Sequence, residues 1–105
     1  MPGICRQGDT LTTGHLCDTF TTLDAPSNTT VRVNGFLVAR VGDPTVTHNH
    51  QTGTDEFGDP ICTPHIMNIS SGSETVFVEG AKVARIGDNV SGGTLTTGSL
   101  NVFSG

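Results

Sequence analysis

All four histidines and two of the three cysteines fall in two short stretches of this chain. The first is Thr13-Gly14-His15-Leu16-Cys17; the second runs from Thr47-His48-Asn49-His50 to Cys62-Thr63-Pro64-His65. Imidazole nitrogen and thiolate sulfur are the donors zinc prefers, and four of them close a tetrahedral structural site. His-x-His on a strand points both rings to one face, and Cys-x-x-His brings two donors onto one turn. The expected ligand set is His15, His48, Cys62 and His65 around one structural zinc ion, with His50 and Cys17 as alternates. A single histidine in a polar loop is normally just a solvated side chain, so the expectation rests on clustering rather than on any one residue. Cys5 stands outside the clusters and reads as a small buried apolar residue. Three cysteines are an odd number, which argues against a complete disulfide framework and fits a reducing compartment.

The elements that position these residues must be economical. In 105 residues only 33% are apolar, with no Trp or Tyr, so one domain over residues 1–105 has a thin core and needs a staple such as a metal. The net charge of -5, with only five Lys and Arg, supplies no basic face for nucleic acid. No apolar run is long enough to span a bilayer, and Met1-Pro2-Gly3-Ile4-Cys5 lacks the regions of a signal peptide. The chain is expected to be made and kept soluble in the bacterial cytoplasm.

An internal repeat organises the sequence. Arg40-Val41-Gly42-Asp43 returns as Arg85-Ile86-Gly87-Asp88, with a weaker copy at Arg6-Gln7-Gly8-Asp9. Upstream, Val31-Arg32-Val33-Asn34-Gly35 aligns with Val76-Phe77-Val78-Glu79-Gly80, and Gly98-Ser99 with Val102-Phe103 matches Gly72-Ser73 with Val76-Phe77. Val, Thr, Phe and Ile alternate with polar residues between Asn-Gly and Gly-Asp turns, which is the pattern of short half-buried strands. No apolar stripe of helical period appears. The expected fold is all-β with three pseudo-equivalent lobes and no substantial helix. From Asp88 to Gly98 is 10 residues, but from Asp43 to the equivalent Gly72 is 29, and from Asp9 to Ser27 is 18. The two long intervals hold every histidine, and insertions of this kind map to loops on one working face.

The phrases Val33-Asn34-Gly35 through Ala39-Arg40-Val41-Gly42-Asp43-Pro44, Val76 through Asp88, and Gly98-Ser99-Leu100-Asn101-Val102-Phe103 resemble those of PAAR-repeat proteins, over nearly the whole chain. The resemblance implies a small cone of short strands with a metal-stabilised apex, one zinc held by three His and one Cys. It also implies a base that caps a trimeric β-helical spike, one copy per trimer, at the tip of a contractile phage tail or type VI secretion apparatus that pierces a target envelope. Effector cargo is a further partner it admits; no small-molecule substrate is implied. Leu37 and Lys82 replace the family's proline. Ser91-Gly92-Gly93 stands where many relatives place a cysteine, so the fourth ligand must come from elsewhere, which favours Cys62. The chain is expected to be a bare tip. Two other classes compete: a free-standing zinc-binding adaptor module, and a metal-dependent hydrolase or nuclease using Asp55 or Glu56 as base.

Overall fold

Each Arg-x-Gly-Asp phrase folds into the same turn, and the turn explains the residue types. Gly8, Gly42 and Gly87 hold φ of 88°, 96° and 94°, a region glycine enters without penalty. The Asp N–H returns to the Arg carbonyl, and the Asp carboxylate accepts from the Arg N–H at 2.7, 2.8 and 2.8 Å for Asp9, Asp43 and Asp88. The Arg6 and Arg85 side chains close on the same carboxylates through Nε at 3.0 and 3.1 Å. Arg40 departs from this pattern: its Nε is 3.8 Å from Asp43, while its guanidinium reaches the Val78 and Glu79 carbonyls of the next unit and the Ser27 hydroxyl.

The computed structural model describes residues 1–105 and contains strands but no helix. β1 (Thr10–Thr12), β2 (Phe20–Thr22), β9 (Asn89–Val90) and β10 (Gly93–Leu95) form one sheet in the order β2-β1-β10-β9, all antiparallel. Three separate hairpins complete the set. β3 (Arg32–Val33) pairs with β4 (Phe36–Leu37), β5 (His48–Thr54) with β6 (Pro60–His65), and β7 (Phe77–Val78) with β8 (Ala81–Lys82). Asn34-Gly35 and Glu79-Gly80 turn β3 to β4 and β7 to β8 with positive φ at both residues, the geometry two-residue hairpins prefer.

The third lobe is assembled from both ends of the chain. Phe103 bridges Gly3, and the Ser104 N–H donates to the Pro2 carbonyl at 3.0 Å, the counterparts of the Phe77↔Lys82 and Val78↔Ala81 pairs. The weak copy at Arg6 and the closing copy at Gly98 are thus two halves of one unit. Each unit opens on a buried polar side chain that gathers two backbone N–H groups. Asn28 Oδ1 accepts from Thr30 and Val31, Ser73 Oγ from Thr75 and Val76, and Ser99 Oγ from Asn101 and Val102.

A closed ring of backbone bonds marks the pseudo-three-fold axis: Cys5 N–H donates to the Ala84 carbonyl, Ala84 to Ala39, and Ala39 back to Cys5, at 2.9, 3.0 and 3.0 Å. All three side chains are buried in one apolar cluster, so only small residues fit at these positions. Cys5 occupies the place of alanine, as its type led us to expect. Burial, reinforced by Asp9 and Asp88, pushes its thiol far above the usual range, which keeps it protonated and inert. That cluster continues through Leu11, Leu23, Ile69 and Leu95 to Met67. A second cluster, Ile4, Val38, Val78 and Val83, lies under the short hairpins. The molecule is elongated, 49 × 24 × 21 Å.

Candidate metal centre

Three of the four histidines converge. β5 and β6 pair so that His48 lies directly opposite His65, and cross-strand partners share a face of the ladder. Their rings stand 4.5 Å apart, with His65 Nε2 2.9 Å from His48 Nε2. His15 arrives from the loop after β1. Gly14, at φ 73°, presses that loop against Gly92, where a Cβ would sit 2.2 Å from the Gly92 carbonyl oxygen. Reciprocal bonds then stitch this first insertion to the second: Asp18 N–H to the Asn49 carbonyl at 3.1 Å, and Asn49 N–H to Asp18 Oδ2 at 2.7 Å. The result places His15 Nε2 3.1 Å from His65 Nε2, and the donor atoms of all three histidines lie within 4.8 Å of one another.

The chemistry of this cluster fits a metal ion. His15 Nδ1 faces the Leu16 carbonyl at 3.0 Å and His48 Nδ1 the Val46 carbonyl at 2.9 Å. A carbonyl only accepts, so both rings carry their proton at Nδ1 and turn a bare Nε2 inward, the tautomer a metal needs. His65 is held below the ordinary histidine range by burial first and then by the neighbouring His50, His48 and His15. In a tetrahedral site with metal–nitrogen bonds of 2.0–2.1 Å, two nitrogens stand about 3.3 Å apart. The two separations from His65 Nε2, 3.1 Å to His15 and 2.9 Å to His48, are within a few tenths of an ångström of that.

The remaining expected ligands are placed differently. Cys62 is joined to Cys17 in a disulfide across a sequence separation of 45 residues. In that state neither sulfur is a thiolate, and the odd cysteine count is resolved by Cys5 being the one left over in the core. His50 stacks on His65 with ring centroids 3.8 Å apart, yet its donor atoms are not part of the convergent group. Met67, a residue outside the His and Cys clusters of the sequence, sits with its Sδ 3.3 Å from His48 Nε2. The nearest signal in the sequence is its position, two residues beyond His65.

Asp55 and Glu56 do not serve the cluster. Asp55 is seven residues along from His48, which at a strand rise of about 3.3 Å per residue is up to about 23 Å away. Its Oδ1 instead accepts from Phe57 and Asp59 N–H in the turn that joins β5 to β6. The concavity that includes His15 is otherwise lined by Thr12, Gly14, Leu16, Thr19 and Phe20, with no second titratable group.

An all-β chain of three pseudo-equivalent lobes, carrying a histidine triad in its two insertions, defines a small repeat-built β-domain. The PAAR motif family matches residues 13–97, and the chain belongs to that family. Membership supports a spike-tip role of the kind used in secretion systems and phage tails, and the family is structural rather than enzymatic. Its members typically associate with spike proteins. No curated protein matches the chain. No helix is long and apolar enough to cross a membrane.

Proposed function

We propose that residues 1–105 form one PAAR-repeat domain that caps the blunt end of a trimeric β-helical spike, one copy per trimer, and sharpens it for penetration of a target envelope. The observation that carries this reading is the near-equivalence of the three lobes around the Cys5–Ala39–Ala84 ring. A trimeric spike ends in three identical chain ends, and a single chain with three similar lobes can meet all of them at once. The lobes offer apolar surface for that contact. Val31 and Val76, at matching positions, are 38% and 36% exposed, and Phe77 and Phe103, also matched, are 55% and 48% exposed.

The metal centre lies above the other apolar cluster, on Met67, where few side chains remain to build a core. One zinc ion held by His15, His48 and His65 would tie the two insertions together there. Cys62 can supply the fourth donor expected from the sequence only where its bond to Cys17 is open, since a thiolate is needed. In this reading the metal is structural, the protein is not an enzyme, and it acts within a phage baseplate or secretion apparatus rather than as a free adaptor.

Docking to a trimeric β-helical spike, measured by calorimetry, tests the proposal. Val76→Asp should weaken it by at least about ten-fold, because burying an unpaired carboxylate costs several kcal/mol or forces its protonation. Asp55→Ala, at the far turn of the β5–β6 hairpin, should leave it unchanged. Equal binding by wild type and Val76→Asp would remove these lobes from the interface.

A further inference from the structure

Beneath the histidine triad lies a sulfur that the disulfide does not engage. Met67 is 4% exposed and its backbone is clamped to Thr45: Thr45 N–H donates to the Met67 carbonyl at 2.8 Å, and Met67 N–H donates to Thr45 Oγ1 at 3.0 Å. Its Sδ faces His48 Nε2 at 3.3 Å. Because His48 keeps its proton at Nδ1, on the Val46 carbonyl, that Nε2 is a bare lone pair, and a thioether has no proton to offer. Nothing donates between the two atoms. The same Nε2 lies 2.9 Å from His65 Nε2, so three potential donor atoms share one small space. A cation among them converts this crowding into coordination.

We propose that Met67 Sδ is the fourth protein donor to the triad in the disulfide-bonded protein. The site is then three imidazoles and one thioether, a set soft enough to take cuprous copper as well as zinc. This rests on the reading of His15, His48 and His65 as a metal centre. With bonds of about 2.0–2.1 Å to nitrogen and about 2.3 Å to sulfur, a tetrahedral ion needs nitrogen and sulfur about 3.5 Å apart. For the His48–Met67 pair, the observed 3.3 Å requires only a small opening. Met67 is also fixed by packing in the cluster it shares with Ile69, Leu23 and Leu95, so the thioether is presented without a large ordering cost.

The test uses the full chain with the Cys17–Cys62 bond intact, checked by thiol titration in denaturant, where only Cys5 should react. Cuprous ion is supplied under ascorbate, without thiols, against a competing chelator, and zinc is titrated separately. Met67→Leu conserves volume and keeps the fold. It should lower cuprous affinity by at least about ten-fold while changing zinc affinity by less than about three-fold, as expected for loss of a soft donor. X-ray absorption at the copper edge should show a sulfur shell in the wild type and none in the variant. Unchanged cuprous affinity in Met67→Leu, or a sulfur shell that persists there, refutes the assignment. His15→Ala separates the two levels. If it leaves both ions bound as in wild type, the triad reading fails; if it weakens both while Met67→Leu does not, Met67 alone is excluded.

Discussion

At the scale of single residues, the division of labour among the histidines sets the consequences of mutation. His65 Nε2 is the nitrogen that approaches both others, at 2.9 and 3.1 Å, whereas His50 only stacks on its ring. His65→Ala should therefore abolish stoichiometric metal binding, and His50→Ala should not. Structural zinc contributes on the order of 10 kcal/mol in small domains that depend on it. This chain also has two apolar clusters, so a smaller loss of several kcal/mol is expected. At about 4–8 °C per kcal/mol for a domain of this size, the melting temperature should fall by more than about 10 °C. Elemental analysis with thermal melts of the two variants checks this. Equal metal content in wild type and His65→Ala would remove the triad from the account.

At the scale of elements, the ring of Cys5, Ala39 and Ala84 is the joint between lobes. Ala84→Leu forces extra methylenes into a position where three backbones meet. It should cost about 1–3 kcal/mol, read as a lowered denaturation midpoint at unchanged slope. An Ala84→Leu variant as stable as wild type would show that the axis has spare room. These elements were largely legible beforehand, because the repeat is carried by backbone chemistry. Gly42 and Gly87 need positive φ, Asp43 and Asp88 cap their turns, and Asn34-Gly35 makes a hairpin, all of which depend on neighbours in sequence. The Arg6 phrase and the Gly98 phrase were legible singly, but their union was not. Only the closure that brings Gly3 to Phe103 makes them one lobe. The convergence of His15, His48 and His65 was legible for the same reason, since insertions stand out against a repeat. Its sulfur chemistry was not: whether Cys62 meets a metal or Cys17 depends on how the two insertions cross, and local sequence does not encode that.

At the scale of the molecule, the two insertions are tied to each other by the triad, by the Asp18–Asn49 bonds and by the Cys17–Cys62 disulfide. A cross-link over a loop of this length stabilises by up to about 4 kcal/mol through the unfolded chain. β6 is exposed along most of its length, and an isolated two-stranded hairpin is marginal in water. Cys17→Ser should accordingly loosen β5 and β6 selectively, seen as faster amide exchange in residues 48–65 with little change around residues 31–41. Uniformly faster exchange would instead make the disulfide a support of the whole fold. The tip assignment itself stands on stoichiometry. Native mass spectrometry of this chain mixed with a trimeric β-helical spike is the most direct measurement. The three-lobed architecture predicts a complex of one copy of this chain with three spike chains. A three-to-three complex, or no complex with any such trimer, would contradict it.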